Sequence, residues 1–369
     1  MTELADIFRA YGPAYRAKFG AQIPPSHLQA MRAIEQCRTP ALGGHVYTCP
    51  DCGETLYRYH SCRNRHCPKC QHAKAQRWLD QQFELQLPVP YFMLTFTLPS
   101  PLRPFARSHQ KLVYDTLFHA SAEAAQQLAQ DSRFVGGTLG LVGVLHTWAR
   151  DLSYHPPVHY LVPAGGLAED GQSWLPSRKK FLLPVNALSK LFRAKVRDAL
   201  RKSDDFASIP ASVWEQDWVV HCKPVGDGRT ALKYLAPYIF RVALSNRRIV
   251  KVENGQVTFR YKTNSGQTQF CTLPAEKFMH RFLQHVLPKS FVKVRYYGLF
   301  SPAHRQQLTT LRAQLGARPA DSPSPTEQVN SNALPDSSAS PSSRSVRCPA
   351  CGHVMQLQAT LPPLGRAPP

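Results

Sequence analysis

The stretch His146-Thr147-Trp148-Ala149-Arg150-Asp151-Leu152-Ser153-Tyr154-His155-Pro156-Pro157-Val158-His159-Tyr160-Leu161-Val162 decides how this chain is read. The apolar runs Leu139 to Trp148 and Val158 to Val162 are joined by Ala149 to Pro157, a pattern that predicts two adjacent strands. Alternate residues of a strand share a face, so 155, 157, 159 and 161 point one way and 158, 160 and 162 the other. His146, on the neighbouring strand, lies across from the first set. Imidazoles converging from adjacent strands can hold a catalytic divalent ion; spaced apart, the same histidines are surface residues with separate hydrogen bonds.

Working outward, Tyr91 to Leu98 and Trp218 to Cys222 read as strands, and Val257 to Tyr261 with Gln269 to Leu273 as a hairpin around Lys262 to Thr268. Leu112 to Leu128 reads as an alanine-rich helix, Leu188 to Leu200 as a basic amphipathic helix and Leu232 to Leu244 as a helix. Two short helices are expected over 1–36, the second capped by Ser26 after Pro24-Pro25, and another helix over His72 to Leu87. After Arg318 the composition turns to Ser, Pro, Ala and Asp, too poor in apolar residues to fold alone. The expected fold is α+β, with an N-terminal helical and cysteine-rich domain over 1–89, a second domain over 90–305 and a disordered tail over 306–369.

Lys and Arg number 45 against 24 Asp and Glu, a net charge of +21 over 369 residues. Such an excess names an anionic partner, nucleic acid or a membrane surface. A membrane anchor is not expected, because the longest apolar stretch, Val135 to Trp148, is short and broken by Gly136, Gly137, Gly140 and Gly143. The opening residues lack the basic and apolar blocks of a signal peptide, and a cytoplasmic protein is expected.

In a reducing compartment clustered cysteines read as metal ligands rather than disulfides. Cys49-Pro50-Asp51-Cys52 and Cys67-Pro68-Lys69-Cys70 are two knuckles, each delivering two thiolates to one ion, and together they predict a closed structural Zn2+ site. Cys37, His45, His60, Cys62 and His66 remain as candidates for a second Zn2+. Cys348-x-x-Cys351 has no partner knuckle nearby in sequence. Arg58, Arg63, Arg65, Lys69, Lys74 and Arg77 are interleaved with Tyr57, Tyr59 and Trp78, cations for phosphates and rings for bases. The same residues also read as a solvated basic face around a structural zinc.

Tyr234 and Tyr238 stand four apart, which on a helix puts both phenols on one face, with Arg241 following and Leu232, Leu235, Ile239 and Val242 opposite. Pro237 removes a helical hydrogen bond between them and predicts a kink. A phenol can attack a phosphodiester and hold the broken strand as a phosphotyrosine. Two tyrosines packing at a core edge would share this spacing.

Taken together, these stretches resemble the two-tyrosine rolling-circle transposases of the insertion sequence 91 type. The resemblance rests on Cys37-Arg38-Thr39 with Gly43-Gly44-His45, His60 to Cys70, Pro90-Tyr91-Phe92 with Phe96-Thr97-Leu98-Pro99, His146-Thr147-Trp148 and His155 to Gly166. It continues through Tyr234 to Tyr238, Arg241-Val242-Ala243, Ser245-Asn246 and Phe282 to Tyr297-Gly298, and covers about 25 to 305 in order. It implies a zinc-ribbon-like module followed by an antiparallel-sheet histidine-hydrophobe-histidine nuclease domain with flanking helices. The implied activity is cleavage and transfer of single-stranded DNA at element ends, with Tyr234 and Tyr238 as nucleophiles. Mg2+ or Mn2+ would be bound by His159, His146 and His155. Arg63, Arg65, Lys69, Arg241, Arg247 and Arg248, together with Lys190, Arg193, Lys195 and Arg197, would hold the strand. One departure stands out: Pro157 occupies the place of the first histidine of the motif. His155 has the right parity, but in an extended strand its Cα lies roughly 13 Å from that of His159. The alternative reading is a catalytically impaired DNA-binding relative.

Overall fold

The computed structural model describes residues 2–70, 72–240, 243–263, 265–316 and 345–364. Helices α1 (Leu4–Phe19) and α2 (Pro25–Gln36) lead into strands β1 (Gly44–Thr48) and β2 (Thr55–Tyr59), then α3 (His72–Leu85) and β3 (Tyr91–Thr97). Next come α4 (Arg103–Ser108), α5 (Gln110–Ala129), β4 (Gly140–Leu145), β5 (Pro157–Pro163), β6 (Gly165–Leu167) and β7 (Trp174–Pro176). They are followed by α6 (Val185–Leu200), α7 (Ser212–Glu215), β8 (Val220–Pro224), α8 (Arg229–Phe240), β9 (Ile249–Glu253), β10 (Gln256–Lys262) and β11 (Thr268–Pro274). The described elements end with α9 (Ala275–Leu283), β12 (Val294–Gly298), α10 (Arg305–Gly316) and β13 (Gln356–Leu361). The fold is α+β with antiparallel sheets. None of the described helices is long and apolar enough to cross a membrane.

The described chain divides into two units, one of residues 2–76, 240–286 and 345–364, the other of 77–239 and 287–316. The second unit is built on a five-stranded antiparallel sheet in the order β12-β4-β5-β3-β8. Strand alternation divides its side chains cleanly. Phe92, Leu94, Phe96, Leu141, Leu145, Val158, Tyr160 and Val162 face Leu117 and Phe118 of α5 and Phe192 and Val196 of α6. On the other face Tyr91 and Leu161 meet Leu79 of α3 and Ala231, Leu232 and Ala236 of α8. Helix α8 is thereby laid across the face that carries His159.

Gly143 is required on the first face. It pairs with Tyr160 across β4 and β5, and a Cβ there would stand 2.5 Å from one ring carbon of Tyr160 and 3.0 Å from one of Phe118. The buried Tyr160 hydroxyl donates to the Phe118 carbonyl at 2.9 Å and pairs with Ser121 Oγ at 2.7 Å, so the ring has nowhere to move.

The other unit holds two three-stranded sheets, β13-β1-β2 and β11-β10-β9. The hairpin read at Val257 to Leu273 forms, but it groups with the N-terminal helices rather than with the sheet of β3 to β5. The reason is its apolar side: Phe259 meets Phe278 of α9 at 5.9 Å between ring centroids, and Phe282 of α9 meets Phe8 of α1 at 5.6 Å. Other expectations shift in detail. Helix α2 starts at Pro25 with Pro24 as its N-cap, and Ser26 makes no cap; proline suits the first turn because the missing N–H has no helical partner there. The stretch from 306 begins inside α10, where Leu308 and Leu311 are buried against Leu87, Leu167 and Leu299. Residues 345–364 fold as well and contribute β13, while 317–344 lie outside the described residues.

Gly143→Ala is expected to destabilise the second unit by about 1–3 kcal/mol, the usual result of overfilling a packed core. Chemical denaturation read through tyrosine and tryptophan fluorescence checks this, with a lower midpoint expected.

Candidate active site and metal centres

His159 sits in the middle of β5, paired with Thr95 of β3 on one side and Val144 of β4 on the other. Beyond Leu145 the β4–β5 ladder continues through the His146 N–H, which donates to the Pro157 carbonyl at 3.0 Å. That bond brings His146 to the same sheet face as His159. The two rings lie 5.7 Å apart, and both residues are buried, at 8% and 9% exposure. Thr95 Oγ1 is 3.0 Å from His159 Nδ1, while His159 Nε2 finds no hydrogen-bond partner among the described residues. Burial, and next the nearby His155, push the His159 pKa down to about 4, so the ring is neutral at pH 7. A neutral imidazole fixed through one nitrogen and unengaged at the other is the form in which histidine ligates a metal.

His155 is placed differently. Its Nδ1 accepts a hydrogen bond from the Arg103 guanidinium at 2.9 Å, and burial and then Arg103 lower its pKa. Among the described residues the three imidazoles do not come within ligand distance of one another as a set. Pro157 is the first residue of β5, and the Nδ1 of His155 is engaged by Arg103.

Tyr234 lies on α8, 43% exposed, with its ring 6.4 Å from that of His159 and at 88° to it. Leu232, Leu235 and Ile239 are buried as the opposite face of the helix, and α8 runs through Pro237 to Phe240. The Tyr238 side chain, Arg241 and Val242 lie outside the described residues.

Three further residues join this site that the histidine and tyrosine spacings do not reveal. Thr95 holds His159, Arg103 holds His155, and Lys293, only 6% exposed, places its ammonium 5.0 Å from the Trp148 ring, whose edge meets His146. The available signal for Thr95 was a single hydroxyl between Leu94 and Phe96 in an otherwise apolar strand. Arg103 and Lys293 carry no local sequence signal.

The cysteines form two separate clusters of four. Cys37, Cys62, Cys67 and Cys70 are one, and Cys49, Cys52, Cys348 and Cys351 the other, with the ligand atoms of each within 4.8 Å. The two knuckles expected to share an ion are therefore parted, and the geometry of the hairpin explains it. Cys49 and Cys52 sit in the turn between β1 and β2, whereas Cys37 and Cys62 flank the other end of the hairpin. Strands of five residues span roughly 17 Å at ~3.4 Å per residue, too far for one ion. His45 and His66 join neither cluster: His45 Nδ1 faces Thr360 Oγ1 at 3.3 Å, and the His66 ring meets Asn64 Oδ1 at 3.1 Å.

Both clusters fit zinc. The sulfur pairs Cys62–Cys70, Cys52–Cys348 and Cys49–Cys351 are 3.7, 3.5 and 3.4 Å apart. Tetrahedral sulfur around zinc at ~2.3 Å gives edges of ~3.8 Å, while a disulfide needs ~2.0 Å. The backbone N–H of Cys351 helps hold the Cys348 thiol down to about 7, toward the thiolate that zinc requires.

Two family models match the chain: one described as "Transposase zinc-binding domain" over residues 7–98, and one described as "Putative transposase" over 140–307. The chain is 38% identical over 372 residues to "Putative transposase y4qJ" of Sinorhizobium fredii (strain NBRC 101917 / NGR234), covering 95% of this chain and 92% of that one. The chain belongs to the insertion sequence 91 type of transposases. "Transposase for insertion sequence element IS801" of Pseudomonas savastanoi pv. phaseolicola is 29% identical over 284 residues, 72% of this chain and 68% of that protein. No solved structure matches the chain.

Several cations of this transposase are spent inside its own fold. Lys69 forms an ion pair with Glu3. Arg248 donates to the carbonyls of Arg260 at 2.9 Å and Ala243 at 3.0 Å. Arg193 donates to the Gln216 carbonyl at 2.7 Å, Lys195 pairs with Glu123 at 3.3 Å, and Arg197 lies over Trp214. Arg65 is half-buried, which lowers its pKa. Arg58, Arg63, Lys190 and Arg247 are exposed.

The regrouping of the cysteines has a direct check by elemental analysis of purified protein. Cys37→Ser or Cys62→Ser is expected to lower bound zinc, because each removes a ligand from the cluster of Cys67 and Cys70. His45→Ala and His66→Ala are expected to leave zinc content unchanged.

Proposed function

We propose that this transposase cuts and rejoins single-stranded DNA at the ends of its element through a 5′-phosphotyrosine intermediate, with Tyr234 and Tyr238 as the nucleophiles. The observation that carries this reading is the placement of the Tyr234 ring against His159, with His146 beside it, on one face of an antiparallel sheet. In the first step the Tyr234 oxygen forms a bond to the scissile phosphorus and the bond to the 3′ oxygen breaks. The exposed phenol gives its proton to solvent, and the departing 3′ oxygen takes one up. Transfer reverses the exchange: a 3′ hydroxyl attacks the phosphotyrosine and the phenol leaves. A second tyrosine one helical turn away allows a second strand to be held while the first is rejoined.

His146 and His159 would hold the divalent ion, which when bound stabilises negative charge developing on the phosphate. A nitrogen donor set favours Mn2+ over Mg2+, which prefers oxygen ligands and keeps its water. Thr95 orients the His159 ring so that Nε2 faces the site, and Trp148 fixes His146 from its edge. Arg58, Arg63 and Arg247, with Arg241, would hold the phosphate backbone, an attraction that weakens as salt rises. A second reading, a DNA-binding relative with impaired catalysis, has its own support in Pro157, which supplies no ligand atom where it faces Thr97 on the neighbouring strand.

One experiment separates the two readings. The protein is incubated with single-stranded oligonucleotides carrying element ends and Mn2+, and a covalent adduct is sought on a denaturing gel. The enzyme reading expects an adduct, weakened by Tyr234→Phe or Tyr238→Phe alone and abolished by the double change. Binding without an adduct selects the impaired relative. Pro157→His is expected to raise the rate, since β5 loses no backbone hydrogen bond when its first residue ceases to be proline. Thr95→Val is expected to weaken Mn2+ binding by roughly 10- to 100-fold, the usual effect of removing a group that orients a ligand, while Thr95→Ser retains it. Mn2+ titration followed by tryptophan fluorescence reads that difference without DNA.

A further inference from the structure

We propose that Cys49, Cys52, Cys348 and Cys351 bind a zinc ion that serves as a clasp, holding residues 345–364 on the β1–β2 hairpin, and that this ion is the more readily removed of the two. Neither family model extends to the C-terminal knuckle, since they match 7–98 and 140–307.

The two knuckles of the clasp are copies of one another. Both read Cys-Pro-x-Cys-Gly, Cys49-Pro50-Asp51-Cys52-Gly53 and Cys348-Pro349-Ala350-Cys351-Gly352, whereas Cys67-Pro68-Lys69-Cys70 is followed by Gln71. Their backbones make the same turn. Cys49 N–H donates to the Glu54 carbonyl at 2.9 Å and Gly53 N–H to the Cys49 carbonyl at 3.0 Å. In the other copy Cys348 N–H donates to the His353 carbonyl at 2.8 Å and Gly352 N–H to the Cys348 carbonyl at 2.9 Å. Gly53 and Gly352 both adopt positive φ, 74° and 80°, which is why each knuckle ends in glycine. Facing one another, the turns bring four sulfurs within 4.8 Å of one another, with cross-knuckle contacts of 3.4 and 3.5 Å, close to the edges of a tetrahedral zinc site.

Apart from the cysteines, the segment is held by its pairing with β1, by the contact of His45 with Thr360 at 3.3 Å and by an exposed Asp51–His353 pair at 3.4 Å. Strand β13 is exposed from Gln356 to Thr360. Only Val346, Cys348 and Met355 of the segment are buried, against Cys49, Tyr47 and Leu56. Its pairing with β1 is broken by an irregularity between Val46 and Tyr47. Solvent-exposed strand pairing with so small an apolar contact is marginal by itself. The metal therefore supplies what the apolar contact does not.

The clasp also differs from the other cluster in access. In the clasp Cys52 and Cys351 are exposed beside the buried Cys49 and Cys348, while in the other cluster Cys37 and Cys67 are buried and Cys62 and Cys70 half-buried. A competing ligand reaches the clasp sulfurs and their ion first, and its removal frees 345–364 from the hairpin.

The test uses the full chain and needs no DNA. Purified protein is challenged with excess EDTA, zinc release is followed in time, and hydrogen exchange over residues 346–361 is read by mass spectrometry. Two zinc ions per chain are expected, one leaving quickly and one slowly, with loss of protection over 346–361 in step with the fast one. Cys348→Ser/Cys351→Ser is expected to hold one ion and show only the slow phase. Cys49→Ser/Cys52→Ser, which removes the ligands on the opposite side, is expected to give the same single ion and the same unprotected segment. One ion in the unaltered protein, two retained in either variant, release in one phase, or a segment still protected after the fast ion has gone would each overturn the proposal.

Discussion

The pairing of Val144 and Thr95 with His159 across β4, β5 and β3 fixes everything else in the second unit. Side chains alternate along a strand, so this register sends Val158, Tyr160 and Val162 into the core with α5 and α6 and leaves His159 on the face covered by α8. A slip of one residue would bury the imidazole in the core and turn Tyr160 out. The Tyr160 hydroxyl, held by Phe118 and Ser121, and the glycine beneath its ring oppose such a slip. The site is thus a by-product of a core that cannot be rearranged. The same sheet carries His221 opposite Thr95 on the edge strand β8, continuing the polar row beyond His159.

The other unit depends on a different constraint. Its β1–β2 hairpin is short, and its apolar contribution is small: Thr55, Tyr57 and Arg58 are exposed. Two four-cysteine clusters stand at opposite ends of that hairpin, one tying its ends to the adjoining knuckle of Cys67 and Cys70, the other tying its turn to the knuckle of Cys348 and Cys351. Small modules with little core need such cross-links, and both cysteine clusters have the ligand set that suits zinc. Lys69, reached by Glu3 of the N-terminal helix region, adds an ion pair to the same module.

Much of the sheet face that carries His159, and of the helix that carries Tyr234, is legible in the sequence because its signals are local. The alternation of Val158 to Val162, the helical spacing of Tyr234 with Leu232, Leu235 and Ile239, and the turn in the hairpin of β10 and β11 each need only a window of residues. Relations across the chain were not legible. The partners of Cys49 and Cys52 lie about three hundred residues away in sequence, although the shared Cys-Pro-x-Cys-Gly pattern was there to be matched. Strands β1, β2, β6, β7, β9, β12 and β13 carry no clear strand signal: β1 and β2 are crowded by turn residues and cysteines, and β12 shows only as the motif Arg295-Tyr296-Tyr297-Gly298. Cations were the least legible group. Whether a lysine or arginine faces solvent or is taken by a carbonyl, as Arg193 and Arg248 are, depends on neighbours that the sequence does not place together.

Tyr234, whose ring lies 6.4 Å from that of His159, is the proposed nucleophile in the exchange of a phosphodiester. The most direct test of that role is mass spectrometry of the protein after incubation with single-stranded element DNA and Mn2+, nuclease digestion of the DNA and tryptic cleavage after Lys233. A nucleotide remnant is expected on a phenol of the peptide running from Tyr234 to Arg241. A remnant on any other residue, or none on a protein that still binds the strand, would contradict it.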